Sequence, residues 1–125
     1  MSGVGPTVSC MGLTVEMVTF DTTDAVALAT WWARQLGGEV RDEADGWFVV
    51  AADVTGVARV GFQKVDRVTP GKNRVHLDLS ATDAKAEIDR LVADGATYVE
   101  AHTEGGFSWT VLADPDGNQF CVSQH

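Results

Sequence analysis

The chain has 125 residues, a formal charge of −9, 45% hydrophobic and 22% charged residues. That balance supports one globular domain with one core, and the acidic excess excludes the basic face that nucleic-acid binding requires. Every apolar run is broken by Asp, Arg or Gly short of the ~20 residues of a bilayer span, so neither nucleic acid nor membrane is an expected partner and the cytoplasm is the expected location.

Residues 1–13 read as a flexible Gly/Ser-containing leader without the basic start and apolar core of a signal peptide. Cys10 and Cys121 are too few and too far apart for a disulfide framework, and both are read as reduced thiols. Val15 to Asp21 alternates as a strand, and Asp24 caps a helix running through Leu36. Gly37-Gly38 ends that helix before Glu39-Val40-Arg41 resumes extended structure. Trp47 to Ala52 and Ala58 to Val65 supply two more strands.

After a polar, turn-rich linker at 67–72 the order repeats. Arg74 to Ser80 is a strand, Thr82 or Asp83 caps a helix through Ala93, and Gly95 ends it. Thr97 to Ala101, Phe107 to Leu112 and Gln119 to Ser123 follow as strands. Ala52-Asp53-Val54-Thr55-Gly56 and Ala113-Asp114-Pro115-Asp116-Gly117 set Ala, Asp and Gly at the same spacing about sixty residues apart. Pro115 presets φ and Gly117 accepts positive φ, so the second of these is a sharp turn into the last strand. Each half reads βαβββ, with module one at 14–66 and module two at 73–125.

The paired modules, the Asn73-Arg74-Val75-His76-Leu77-Asp78-Leu79 strand and Leu112-Ala113-Asp114-Pro115-Asp116-Gly117-Asn118 before the last strand resemble the vicinal oxygen chelate superfamily. That superfamily includes glyoxalase I, bleomycin-resistance proteins, extradiol dioxygenases and methylmalonyl-CoA epimerase, and the chain is most similar to its small bacterial glyoxalase-like proteins. The resemblance implies an α+β fold in which two βαβββ modules form curved mixed sheets enclosing a cleft, usually in a homodimer. It also implies a divalent metal held by His, Gln or Glu on the first, fourth, fifth and eighth strands.

Those four inherited positions fall on Met17, Gly61, His76 and Cys121, with Gln63 two residues beyond Gly61 on the same face. Only His76 fits a hard divalent ion, so no metal cofactor is expected at these positions. Met17, His76 and Cys121 form a softer set suited to Cu(I) or Zn²⁺, against the competing reading of a packed, partly apolar cleft floor.

Strand parity nominates a polar lining. Arg74, His76 and Asp78 share one face, as do Gln119, Cys121 and Ser123 on the last strand, with Thr19 and Asp21 on the first. Trp47 and Trp109 open matched strands and can either wall a cleft or pack in the core. Of the adjacent Trp31 and Trp32, Trp32 has the more apolar helical stripe and is assigned to the core, leaving Trp31 at a flank or interface. His102 falls in a loop with Gly105 and Gly106, where it is solvated or active in acid–base work, and the glycines suit a lid or an ordinary hairpin.

Candidate ligand contacts are therefore Trp47, Gln63, His76, Asp78, Trp109 and Cys121, and His76 and Cys121 are the candidate catalytic groups. Carboxylates beside aromatic rings suit a cationic aromatic drug or metabolite. The leading expectation is metal-independent small-molecule binding. The alternative is a lyase, isomerase or dioxygenase with an altered or metal-free site.

Overall fold

The computed structural model describes residues 15–54 and 59–124. The leader expected at 1–13, with Cys10, lies outside the described residues. The chain divides between Val68 and Thr69 into two compact units. The first holds β1 (Met17–Thr22), α1 (Ala25–Leu36), β2 (Glu39–Asp42), β3 (Phe48–Ala52) and β4 (Arg59–Lys64). The second holds β5 (Asp78–Ala81), α2 (Ala84–Ala93), β6 (Thr97–Glu104), β7 (Phe107–Ala113) and β8 (Gln119–Gln124).

The sheets share one topology, ordered β1-β4-β3-β2 and β5-β8-β7-β6. In each, the first and last strands pair in parallel and the others pair antiparallel. This is the α+β, twice-βαβββ architecture expected from the sequence.

Helix ends follow local chemistry. The Asp24 and Asp83 carboxylates accept the Ala27 and Ala86 amides at 3.1 Å each, satisfying donors that a helix start leaves open. Gly37 closes α1 at φ 74°, a left-handed conformation that glycine adopts without a Cβ penalty. In module one, α1 packs on β2, β3 and β4. Trp32 and Phe62 are fully buried, with Phe20 between them at ring separations of 5.8 and 5.4 Å.

Trp31 corrects the flank or interface assignment. It is 4% exposed and meets Trp32 edge-on at 5.0 Å, so both rings of the pair are buried. Perpendicular rings occupy two directions of the helix surface at once, which lets neighbours about 100° apart share one core.

Two strand boundaries also differ from expectation. β1 begins at Met17, leaving Val15 exposed. Arg74 to Leu77 is not strand, and β5 starts only at Asp78.

The turn into β8 is organised by Asp114, which is 3% exposed. Its Oδ1 accepts the amides of Asp116 and Asn118 at 2.9 Å, and the Asn118 side chain donates to both carboxylate oxygens. Asp53, its counterpart in the sequence echo, is exposed instead, has φ 58°, and pairs with Arg41 at 2.9 Å. The echo therefore survives as spacing while the two aspartates do different work.

Replacing a buried acceptor strands its donors, at about 1–3 kcal/mol. Asp114→Ala is expected to lower Tm by several degrees in thermal unfolding, whereas Asp53→Asn, which removes the exposed ion pair and keeps a side chain suited to positive φ, changes it little. Equal shifts would contradict the assignment.

Candidate functional site

Strand parity on β8 buries Phe120 and Val122 on one face and presents Gln119, Cys121 and Ser123 on the other. Because β8 lies between β5 and β7, that second face continues sideways as cross-strand rows. Asp78, Cys121, Val111 and Glu100 are successive register partners, and Ser123, Trp109 and His102 form the next row. Together these residues line a cavity of about 530 Å³ within module two, in the range of small-molecule sites.

His76 reaches this face without belonging to a strand. The Asn73 side chain donates to Val75 O at 2.7 Å and Gln119 O at 3.0 Å, while its Oδ1 accepts the Gln119 amide at 2.7 Å. One side-chain amide thus substitutes for a ladder rung, tying the irregular segment to β8. Cys121 N donates to Leu77 O at 2.9 Å just beyond it. His76 Nε2 then stands 3.2 Å from Asp78 Oδ1.

The opposite wall depends on an irregularity in β6. Tyr98 pairs with Leu112, but Glu100 pairs with Val111, so Val99 is an extra residue. One inserted residue reverses the side-chain parity of everything after it. Glu100 and His102 consequently face the cavity, where unbroken alternation would have put Val99 and Ala101.

His102 is therefore a strand residue with partners, correcting its expected place in a loop. Its Nε2 lies 2.8 Å from Glu100 Oε2, and its ring stacks on Trp109 at 5.2 Å and 23°. Phe107 also stacks on Trp109, at 5.8 Å and 27°. Gly105 and Gly106, both at positive φ, form the two-residue connection of an ordinary hairpin.

The structure brings His76, Asp78, Trp109 and Cys121 together. Trp47 and Gln63 lie in module one and are not among the cavity-lining residues. Trp47, 55% exposed, precedes β3 and stacks under Lys64 Nζ at 4.7 Å. Gln63 is exposed on β4 opposite Phe48. Arg74 is exposed and is likewise not a lining residue.

Glu100 and Phe107 join the cavity lining beside the residues expected from the sequence. Phe107 was legible as the strand residue two before Trp109, whereas Glu100 required the bulge.

The residues at the inherited metal positions are a poor donor set for a hard ion. A Cβ placed on Gly61 would stand 2.5 Å from Met17 Sδ and 3.1 Å from Phe48 Cζ and Thr19 Oγ1. Position 61 thus has no room for a ligating side chain while Met17 covers it, and a thioether is a poor donor for Mg²⁺ or Mn²⁺. Module two contributes His76 and Cys121 beside Asp78, with donor atoms all within 4.8 Å of one another. Burial pushes the Cys121 thiol up from its usual range, and the Asp78 carboxylate adds to the effect while Lys72 opposes it.

Comparison with known proteins agrees with this architecture. A glyoxalase-like domain model matches residues 17–123. A glyoxalase/bleomycin resistance protein/dioxygenase family enzyme from Burkholderia phytofirmans superposes with a TM-score of 0.73 at 21% identity, covering 87% of this chain and 96% of that one. A superfamily member from Sphaerobacter thermophilus gives 0.70 at 21% identity, covering 92% and 99%. A lactoylglutathione lyase from Agrobacterium tumefaciens gives 0.65 at 17%, covering 89% and 92%. No curated protein matches the chain. At these identities the structural neighbours establish the fold, and the domain match across most of the chain establishes the family: the protein belongs to the glyoxalase-like domain family of the vicinal oxygen chelate superfamily.

Proposed function

We infer that the protein binds a small, planar, cationic aromatic molecule in the module-two cavity. The observation that carries this reading is the row of stacked rings Phe107, Trp109 and His102 on a wall that also bears carboxylates. Aromatic faces attract cations through their quadrupole, and more strongly when the site is partly desolvated. Asp78 and Glu100 outnumber Lys72, so with neutral histidines the lining is net acidic. The overall charge of −9 supports the same preference at longer range.

The fold does not choose between binding and catalysis, since one scaffold hosts both. An enzymatic reading would use His76, oriented by Asp78, as a base, or Cys121 as a nucleophile. The raised thiol pKa weighs against the nucleophile, because the thiolate is the reactive species.

No helix among the described residues is long and apolar enough to cross a membrane, which supports the proposed cytoplasmic location. The proposed homodimer needs a centre other than the buried Trp31. Tyr98 and Val99, exposed near the start of β6, are the alternative.

Thioflavin T is expected to quench tryptophan fluorescence saturably, with Trp109→Ala weakening binding by about five- to tenfold, the worth of one stacked cation–π contact. Asp78→Asn weakens it further at low salt, where a carboxylate is least screened. Absence of saturable quenching at low salt sinks the reading.

Alkylation of Cys121 by iodoacetamide should rise with pH through a midpoint above that of a free thiol. Removing the neighbouring charge stabilises the thiolate, so Asp78→Asn should lower that midpoint and speed labelling at a fixed, mildly alkaline pH. An unchanged midpoint would show that Asp78 does not act on the thiol.

Sedimentation velocity at micromolar concentration should report a dimer that Tyr98→Glu weakens. A monomer at that concentration removes the pairing.

A further inference from the structure

We propose that His76, Asp78 and Cys121 form a zinc site carried wholly by module two. The proposal is independent of any organic ligand, and it departs from the inherited metal arrangement in position and chemistry. Two of the four inherited residues, Met17 and Gly61, take no part, and Asp78 occupies no inherited position.

Three donors of three kinds converge: an imidazole nitrogen, a carboxylate oxygen and a sulfur, all within 4.8 Å. Tetrahedral zinc, with bonds of about 2.0–2.3 Å, holds its donors about 3.3–3.8 Å apart. The His76–Asp78 separation of 3.2 Å is already of that size. The backbones that carry the three donors are tied to one another. Asp78 and Cys121 are direct register partners, Cys121 N is bonded to Leu77 O at 2.9 Å, and the Asn73 amide ties the His76 segment to Gln119.

The donor set selects the ion. Mg²⁺ and Ca²⁺ require oxygen shells, whereas sulfur with imidazole suits zinc, and a carboxylate completes a three-ligand set with the fourth position left to water or solute. When the zinc–sulfur bond forms, the Cys121 S–H proton leaves to solvent. The thiolate and the Asp78 carboxylate together offset the two charges of the ion. The three side chains line the cavity, so an ion that they held would be reachable from it.

Cobalt substitution tests the site directly. Adding Co²⁺ to the metal-stripped full chain should produce, at one equivalent, a thiolate-to-cobalt charge-transfer band and the strong visible absorption of four-coordinate cobalt, both abolished by Zn²⁺. Cys121→Ser should remove the charge-transfer band, and His76→Ala and Asp78→Asn should each weaken Zn²⁺ binding at least about tenfold in competition with a chromophoric chelator. Met17→Leu should leave Zn²⁺ affinity unchanged. The proposal is overturned if no band appears, if the band survives in Cys121→Ser, or if Met17→Leu lowers affinity as much as His76→Ala does. Thioflavin T titration of the same metal-free samples separates the two readings, since dye binding without cobalt binding removes the zinc site alone and cobalt binding without dye binding removes the organic ligand alone.

Discussion

Strand β8 is held from both flanks by side chains that act as backbone. The buried Asp114 carboxylate collects the amides of the turn before it, and the Asn73 amide exchanges hydrogen bonds with Gln119 at its first residue. A strand has a side-chain period of two, so a one-residue slip would exchange its faces. Cys121 would then point to the core, and Phe120 and Val122 would face water. The cavity and the packing of module two therefore rest on one register, held by one side chain that only accepts and one that both donates and accepts.

The two modules share topology and differ in how their open faces are used. In module one, Met17, Thr19 and Phe48 crowd over Gly61, so a side chain there would have to displace the Met17 thioether. In module two the corresponding face carries His76, Asp78 and Cys121 around a cavity. Burial differs as well: α1 buries six residues, including both tryptophans, whereas α2 buries Leu91 alone. Of two modules with one topology, one has the heavier core and the other bears the polar chemistry.

Much of this was legible because it follows from near-neighbour rules. Capping aspartates, terminating glycines and the alternation of residues 119–123 act through contacts a few residues away, and helix boundaries followed them closely. His76 and Asp78 do meet, as strand parity implies, although His76 lies outside β5; Arg74, the third residue of that parity set, does not line the cavity, because the segment before Asp78 is irregular and is held by Asn73 in place of a ladder. What could not be read depended on distant partners. Nothing near Val99 marks an insertion, so His102 was assigned to a loop without a partner. The Trp31–Trp32 contact required knowing that two perpendicular rings fit one core.

The bulge at Val99 means that β6 encodes two linings in one stretch of chain. The residues now facing the cavity, Glu100 and His102, alternate with Val99 and Ala101, which present a small and wholly apolar surface. Deleting Val99 itself would leave Glu100 opposite Val111 and His102 opposite Trp109, but a chain lacking one residue between His102 and the hairpin could close the bulge, keep its strand order and its hairpin, and offer that second lining instead. Ligand preference on this scaffold can therefore change by an insertion or deletion in a strand interior, a kind of variation usually associated with loops, without any substitution in the wall itself.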